Sequence, residues 1–204
     1  MFKYTFPLFL QRLAPSCTWK VDTKDKVLFL TFDDGPHPEI TAWVLEELKR
    51  FDAHATFFCV GENAFRFPDM IQQILQNGHA LGNHTYNHLK GWNTKNEQYF
   101  SNIQKAAEFV PGRLFRPPYG RITPSQIKGL KKDYEIIMWS HLSRDYAPDL
   151  NREESIEAMK SAGPGSILVF HDSVKAYSNL KAILPPILAH FASKGFQFKS
   201  LCRP

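Results

Sequence analysis

The strongest constraint on the fold of this chain is an alternation. Short apolar runs, several of them rich in Val, Ile and Phe and bounded by Gly or Pro, take turns with stretches of helical period. The runs fall at 27–32, 55–60, 79–82, 113–116, 134–139, 166–170 and 196–201, as buried parallel strands should. Between them, Ile40, Val44, Leu45, Leu48 and Phe51 form one apolar helix face. Met70, Ile71, Ile74 and Leu75 form another, closed by Asn77-Gly78. Further helices are expected over 96–109, 123–132, 152–161 and 178–193, with Pro185-Pro186 kinking or restarting the last. Strands alternating with helices specify an α/β domain with a parallel sheet. Seven strand-like runs favour an open or incomplete (β/α) barrel over a flat doubly wound sheet. No repeat or linker divides the chain, so residues 1–204 are expected to form one domain, with 1–24 as a packed N-terminal segment.

Composition narrows the function classes. The chain has 204 residues, 43% hydrophobic and 22% charged, which suits one full core. No run approaches the roughly 20 apolar residues that span a bilayer. The net charge is +5, but Lys and Arg are interleaved with Asp and Glu, and the densest cluster, Lys128, Lys131 and Lys132, fits a solvated helix side. No basic stripe interleaved with aromatics appears, so no nucleic-acid partner is expected. Three cysteines without a CxxC make neither a disulfide framework nor a zinc ribbon. Cys59 sits in an apolar run and is expected in the core; a bridge between Cys17 and Cys202 stays open. The apolar start of the chain is cut short by Gln11 and Arg12 with no clear cleavage site. It is expected to pack, a degenerate signal peptide being the alternative, and the compartment stays open between cytoplasmic and exported.

In a barrel, chemistry belongs at the C-terminal ends of strands, and the reactive residues gather there. The first run ends in Asp33-Asp34-Gly35-Pro36. Two adjacent carboxylates after a buried strand are costly unless paired or bound to metal. The third run leads into His84-Thr-Tyr-Asn-His88, two histidines four apart that can grip one ion if they lie on a helical turn. Together with a carboxylate from Asp33-Asp34 they make a two-His, one-carboxylate site. The fourth run ends in Arg116-Pro-Pro-Tyr-Gly120. Its prolines stiffen an extended loop that can aim a backbone N–H at an oxyanion, and Arg116 can fork with a carboxylate. The fifth leads to Asp145-Tyr146, and the sixth ends in His171-Asp172, where His171 is either a satisfied core-edge residue or an acid or base.

These segments, with Thr31-Phe-Asp-Asp-Gly-Pro36 and Ile167-Leu-Val-Phe-His-Asp172, resemble the ordered motifs of the polysaccharide deacetylase family, the NodB-homology fold of carbohydrate esterase family four. The resemblance covers residues 25–201. It implies a distorted (β/α) barrel of about seven parallel strands and metal-dependent removal of N-acetyl groups from an N-acetylglucosamine-containing glycan, peptidoglycan or chitin-like. Carried over by position, Asp34, His84 and His88 bind the metal, and Asp33 is the general base with Arg116 beside it. The Tyr119 N–H stabilises the oxyanion, and His171 is the general acid oriented by Asp145. Pro117, Tyr119, Trp139, Tyr146 and Val169 are expected to line the substrate groove. Tyr146 stands where the family usually has Trp, Leu142 where it commonly has Asp, and Val169 where it often has Leu. These departures touch substrate choice rather than the ligands.

Zinc suits two His and one carboxylate, with Co²⁺, Ni²⁺ or Mn²⁺ as alternatives. The rival functions are a deacetylase or esterase for a small or lipid-linked acetylated sugar or for O-acetylated xylan, and a non-catalytic sugar-binding relative. The oligomeric state is left open. His54, His79 and His190 are expected to be packing or surface residues, and His37 a loop residue, with a place at the border of the site as its alternative; His141 is near enough to support the site but is not assigned to it.

Overall fold

The computed structural model describes residues 4–5 and 14–201. Eight strands are formed: β1 (Val27–Asp33), β2 (Ala55–Cys59), β3 (Ala80–Asn83), β4 (Leu114–Phe115), β5 (Glu135–Ile136), β6 (His141–Leu142), β7 (Ile167–His171) and β8 (Gln197–Phe198). Seven of them line up in the order β5-β4-β3-β2-β1-β7-β6, and β8 pairs with the start of β1. Every pairing is parallel. The helices are α1 (Pro38–Lys49), α2 (Gly61–Arg66), α3 (Pro68–Gln76), α4 (Asn96–Ala107), α5 (Pro124–Leu130), α6 (Arg152–Lys160) and α7 (Tyr177–Ser193). This is the distorted, incomplete barrel expected.

The two edge strands, β5 and β6, face one gap, and the N-terminal segment crosses it. Thr18 bridges Ile137, Thr5 bridges His141 and Lys20 bridges Ser166. Cys17 and Cys59 are buried; the bridge to Cys202 lies outside the described residues. Among the described residues, no helix is long and apolar enough to cross a membrane.

The period-two alternation of a strand explains the core. In β1, Leu28, Leu30 and Phe32 pack with α1 and α7 side chains, such as Val44, Leu48, Ile183 and Ile187, in the larger core. Val27 and Phe29 join Phe58, Ile137 and Ile167 in a separate cluster, and Thr31 and Asp33 continue their face. The same alternation in β7 sends Leu168 and Phe170 to the larger core and Ile167 to the smaller cluster, with Val169 and His171 continuing its face. The barrel interior is therefore apolar near the strand starts and polar at their ends.

Two expectations fail here. The run at 134–139 is not one strand: β5 covers only Glu135–Ile136, and a separate β6 follows at His141–Leu142. Past Ile136 the backbone is claimed by the N-terminal segment, Met138 N donating to Thr18 O. Of the kink or restart expected at Pro185-Pro186, the restart does not occur, for α7 is continuous over Tyr177–Ser193. Ile183, Leu184, Ile187 and Leu188 around the prolines are fully buried. At roughly 1.5–3 kcal/mol each, that burial matches or exceeds the proline penalty of about 3 kcal/mol each.

Candidate active site

Strand register sets the site. Asp33 pairs with His171 across β1 and β7, and with Phe58 across β1 and β2. Asn83 pairs with Cys59 and Phe115. Residues at or one step beyond these positions, namely Asp33, Asp34, His84, Arg116 and His171, converge at one end of the barrel. They lead into a cleft of about 410 Å³ whose lining includes Asp33, Asp34, His84, His88 and His171.

Which aspartate meets the histidines is decided by geometry. His88 Nε2 lies 3.2 Å and His84 Nε2 3.8 Å from Asp34 Oδ1. One ligand atom from each of the three lies within 4.8 Å of the others. Asp33 Oδ1 is instead taken by Arg116 Nη1 at 2.7 Å. The donor set suits a divalent ion. His84 Nδ1 contacts the Arg116 carbonyl at 2.8 Å, which fixes Nδ1 as the protonated nitrogen and offers the Nε2 lone pair to the cluster. Burial lowers the His84 pKa to about 4, against the pull of Asp33, so the ring is neutral at pH 7 as a ligand must be. Burial opposes the charged form of Asp34, but the His88 hydrogen bond and the charge of His171 outweigh it and hold its pKa well below the ordinary carboxylate range.

The histidines do not share a helical turn, as the four-residue spacing suggested. Thr85 and His88 both have positive φ, 64° and 57°. The loop is shaped by side chains: Asn83 Oδ1 accepts from Thr85 N at 2.8 Å, and Asn102 Oδ1 accepts from Tyr86 N at 2.8 Å. The turn that follows β1 is pinned as well. Asp172 is buried, its Oδ1 accepts from Gly35 N at 3.1 Å and its Oδ2 accepts from the Thr41 hydroxyl. A Cβ on Gly35 would meet Asp172 Oδ2 at 2.1 Å, so this approach requires glycine. Burial pushes the Asp172 pKa up to about 7.

Two charge pairs flank the cluster. Arg116 is fully buried, stacked 4.1 Å from the Phe58 ring centroid. It does not form the expected fork. Nη1 donates to Asp33 and to Thr31 Oγ1, Nε to Ile137 O, and Nη2 to Met138 O. On the other side, Asp145 is fully buried, its Oδ1 2.6 Å from His171 Nδ1 and its Oδ2 accepting from His171 N at 2.8 Å. Burial alone would lower the His171 pKa, but Asp145 overcomes it and raises it to about 9.

Pro117, Tyr119, Trp139, Tyr146 and Val169, the expected groove residues, line the cleft. Tyr146 stands edge-on to the His171 ring at 4.9 Å. Tyr119 sits at φ 61° inside a single 3-10 turn, Pro118–Gly120; the chain is extended only at Pro117, not through both prolines. The hydrogen bonds of that turn come from Gly120 N and Arg121 N, so the Tyr119 N–H is not spent on it. Reading the sequence missed Asn83, Asn102 and Asp172, and also Lys175, whose Nζ is 3.6 Å from Asp34 Oδ2. Only Asp172 carried a signal, as a second acid directly after a buried strand. His37 caps α1, and His141 contacts Ser140 and Ser161 outside the site.

Comparison with known proteins adds to this geometry. A family model described as polysaccharide deacetylase matches residues 20–134. The chain belongs to the polysaccharide deacetylase family. It is 35% identical to a peptidoglycan-N-acetylglucosamine deacetylase of Bacillus cereus, covering 89% of each chain. It is 34% identical to a chitooligosaccharide deacetylase of Azorhizobium caulinodans, covering 75% of this chain and 77% of that protein. Among solved structures, the Bc1960 peptidoglycan N-acetylglucosamine deacetylase matches with a TM-score of 0.87 at 28% identity, covering 96% of this chain and 95% of that one. Members of the family are metal-dependent hydrolases acting on carbon–nitrogen bonds, and the chain is an enzyme of that class.

Proposed function

We propose that this enzyme removes N-acetyl groups from an N-acetylglucosamine-containing glycan, with peptidoglycan as the first substrate to test. One observation carries the reading: a carboxylate and a raised-pKa histidine, Asp33 and His171, open into the same cleft as the Asp34, His84 and His88 cluster. Amide hydrolysis needs these parts, because the carbonyl is a poor electrophile and the amine a poor leaving group.

Asp34, His84 and His88 would hold the ion, zinc being the first candidate for two nitrogens and one carboxylate. A divalent ion there supplies Lewis-acid polarisation and lowers the pKa of water. Asp33, held by Arg116, takes the proton of the attacking water, help typically worth about 10²–10⁴ in rate. The Tyr119 N–H faces the developing oxyanion, a donor worth roughly 2.7–4 kcal/mol. His171, kept protonated by Asp145, gives its proton to the departing amine. Tyr146, Val169 and Trp139 supply apolar walls for the acetyl group and sugar ring. The similarity to a peptidoglycan-N-acetylglucosamine deacetylase over 89% of both chains supports the glycan assignment.

Acetate release from peptidoglycan, chitin oligomers and acetylated xylan, with chelation and metal add-back, tests the reading. Asp34→Asn is expected to lose metal affinity, and Asp33→Asn to keep the metal and lose turnover by about 10²–10⁴. Metal-replete protein that releases acetate only from xylan, or from nothing, overturns it.

A further inference from the structure

Charge and apolar exposure are unevenly spread over the surface. Three loops leave the C-terminal ends of β3, β4 and β7, at 84–95, 116–123 and 172–176. Their exposed charged side chains are Lys90, Lys95, Arg121 and Lys175, all cationic, because the one acid on these loops, Asp172, is buried. Lys90, Lys95 and Arg121 make no ion pair among the described residues, and Lys175 reaches only Asp34, at 3.6 Å. The same loops carry three of the five large hydrophobic side chains that are exposed among the described residues: Val174 at 72%, Tyr119 at 61% and Trp92 at 50%. Tyr119, Arg121 and Lys175 line the cleft itself. Its mouth is therefore rimmed by cations and by uncovered apolar side chains together.

The rim is held in shape. Trp92 Nε1–H donates to Ile122 O at 3.1 Å, and the Arg121 guanidinium carbon lies 5.4 Å from the Trp92 ring centroid. Gly91 N donates to Arg121 O, and buried Gln126 donates to Gly91 O at 3.0 Å and to Thr94 O at 3.3 Å. The loop bearing Lys90, Trp92 and Lys95 is thus locked to the loop bearing Arg121. The opposite end of the barrel differs. Lys131, of the densest basic cluster, lines a hollow there with Leu114 and Glu135, the first residues of β4 and β5. Asp133 and Glu135 follow these lysines in sequence, and residues 128–135 expose no large hydrophobic side chain. A soluble polyanion would satisfy the cations of the mouth and leave Val174 and Trp92 in water. The headgroup layer of an anionic bilayer takes both, aromatic rings at its level and cations on its phosphates.

We infer that the mouth of the cleft is a docking surface for an anionic lipid bilayer, with Trp92 and Val174 entering the headgroup layer and Lys90, Lys95, Arg121 and Lys175 meeting its phosphates. The contact is peripheral and reversible, each cation contributing about fivefold to partitioning. Docked in this way, the cleft opens toward the bilayer, and the groups within its reach are those held close to the headgroups. Neither the docking nor its test depends on the deacetylase reading.

The test is cosedimentation of the full chain with vesicles of phosphatidylcholine alone and of phosphatidylcholine mixed equally with phosphatidylglycerol. Wild type is expected to bind the mixture, to ignore the neutral vesicles and to release with added salt. Replacing Lys90, Lys95 and Arg121 together by Gln should weaken binding about 10²-fold, from about fivefold for each charge. If that variant melts early, Lys90→Gln and Arg121→Gln singly should each show the fivefold loss. Replacing Lys128, Lys131 and Lys132 by Gln removes as many charges from the far end and should change binding little. Trp92→Ala and Val174→Ser should each weaken binding to the mixture at unchanged net charge. Equal losses in the two triple variants mean unoriented charge attraction and overturn the docking surface. So does dextran sulfate binding as tightly as vesicles with Trp92→Ala and Val174→Ser unaffected, the signature of a soluble polyanion site. Failure of wild type to bind the mixture at low salt overturns it outright. Acetate release from glycans is measured separately, so each of these outcomes leaves the deacetylase reading standing.

Discussion

The two charge pairs beside the metal cluster are built in opposite senses. In the first the buried member is the cation: Arg116 is fully covered, and Asp33 meets the cleft. In the second the buried member is the anion: Asp145 is fully covered, and His171 meets the cleft. Each cleft residue carries the sign its proposed task requires, and each buried partner supplies the opposite one. The supports differ. Arg116 also ties Thr31, Ile137 and Met138, so it is part of the barrel wall. Asp145 gives both its oxygens to His171, one to the ring and one to the backbone, so its work is mostly local. The first pair is shared between fold and chemistry, and the second is devoted to chemistry.

The sharpest way to break this comparison is to remove the buried members. Arg116→Met is expected to cost about 3–5 kcal/mol of stability, the usual result of leaving one side of a buried ion pair unmatched, read by denaturant unfolding. Activity should fall with it. If stability stays within 1 kcal/mol of wild type, by the roughly ±0.5 kcal/mol of ordinary surface changes, Arg116 is not part of the wall.

Asp145→Asn is expected to fold well and to lose turnover by about 10²–10⁴. His171 must be protonated to act, and Asp145 raises its pKa from 6.5 to about 9. Without that carboxylate the alkaline limb of kcat/KM moves to lower pH. The same linkage sets stability in the metal-free protein. The contribution of a raised histidine is complete below about pH 6.5 and fades as pH rises through about 9. The stability gap between wild type and Asp145→Asn should therefore narrow over that interval. A pH-independent gap, with an unmoved rate profile, contradicts the pairing.

The smallest effect is expected from Asp172, which supports the cluster without facing it. Asp172→Ala strands the Gly35 N–H and the Thr41 hydroxyl, costing about 1–3 kcal/mol, and should weaken metal binding by calorimetry. Unchanged metal affinity would limit Asp172 to packing.

How much of this was legible in the sequence follows from range. β1 and β7 could be read within a residue or so, because a long apolar run ending in acids or His carries its own signal. β6 could not, since two residues form a strand only when β7 lies beside them. The helical reading of His84 and His88 failed because Asn83 and Asn102 side chains, not local propensity, set that loop. Spacing alone left Asp33 and Asp34 undivided and only the resemblance divided them; the physical reason, Arg116 taking Asp33 from its buried place between Phe58 and Thr31, is a property of the closed barrel. The partners of the site came from spacing and resemblance; the commitments of Arg116, Arg121 and Lys175 came only from three dimensions.

The crossing of the barrel gap by the N-terminal segment has a mechanical side. Thr18 N donates to Ile136 O and Met138 N donates to Thr18 O, while Arg116 donates to Ile137 O and Met138 O. One short stretch of backbone is thus gripped from outside by the strap and from inside by the guanidinium that holds Asp33. Tension applied to residues 14–20, from a fused partner or a surface attachment, is carried through two hydrogen-bonded layers to the reactive carboxylate. A handle or tether for this enzyme therefore belongs away from that strap.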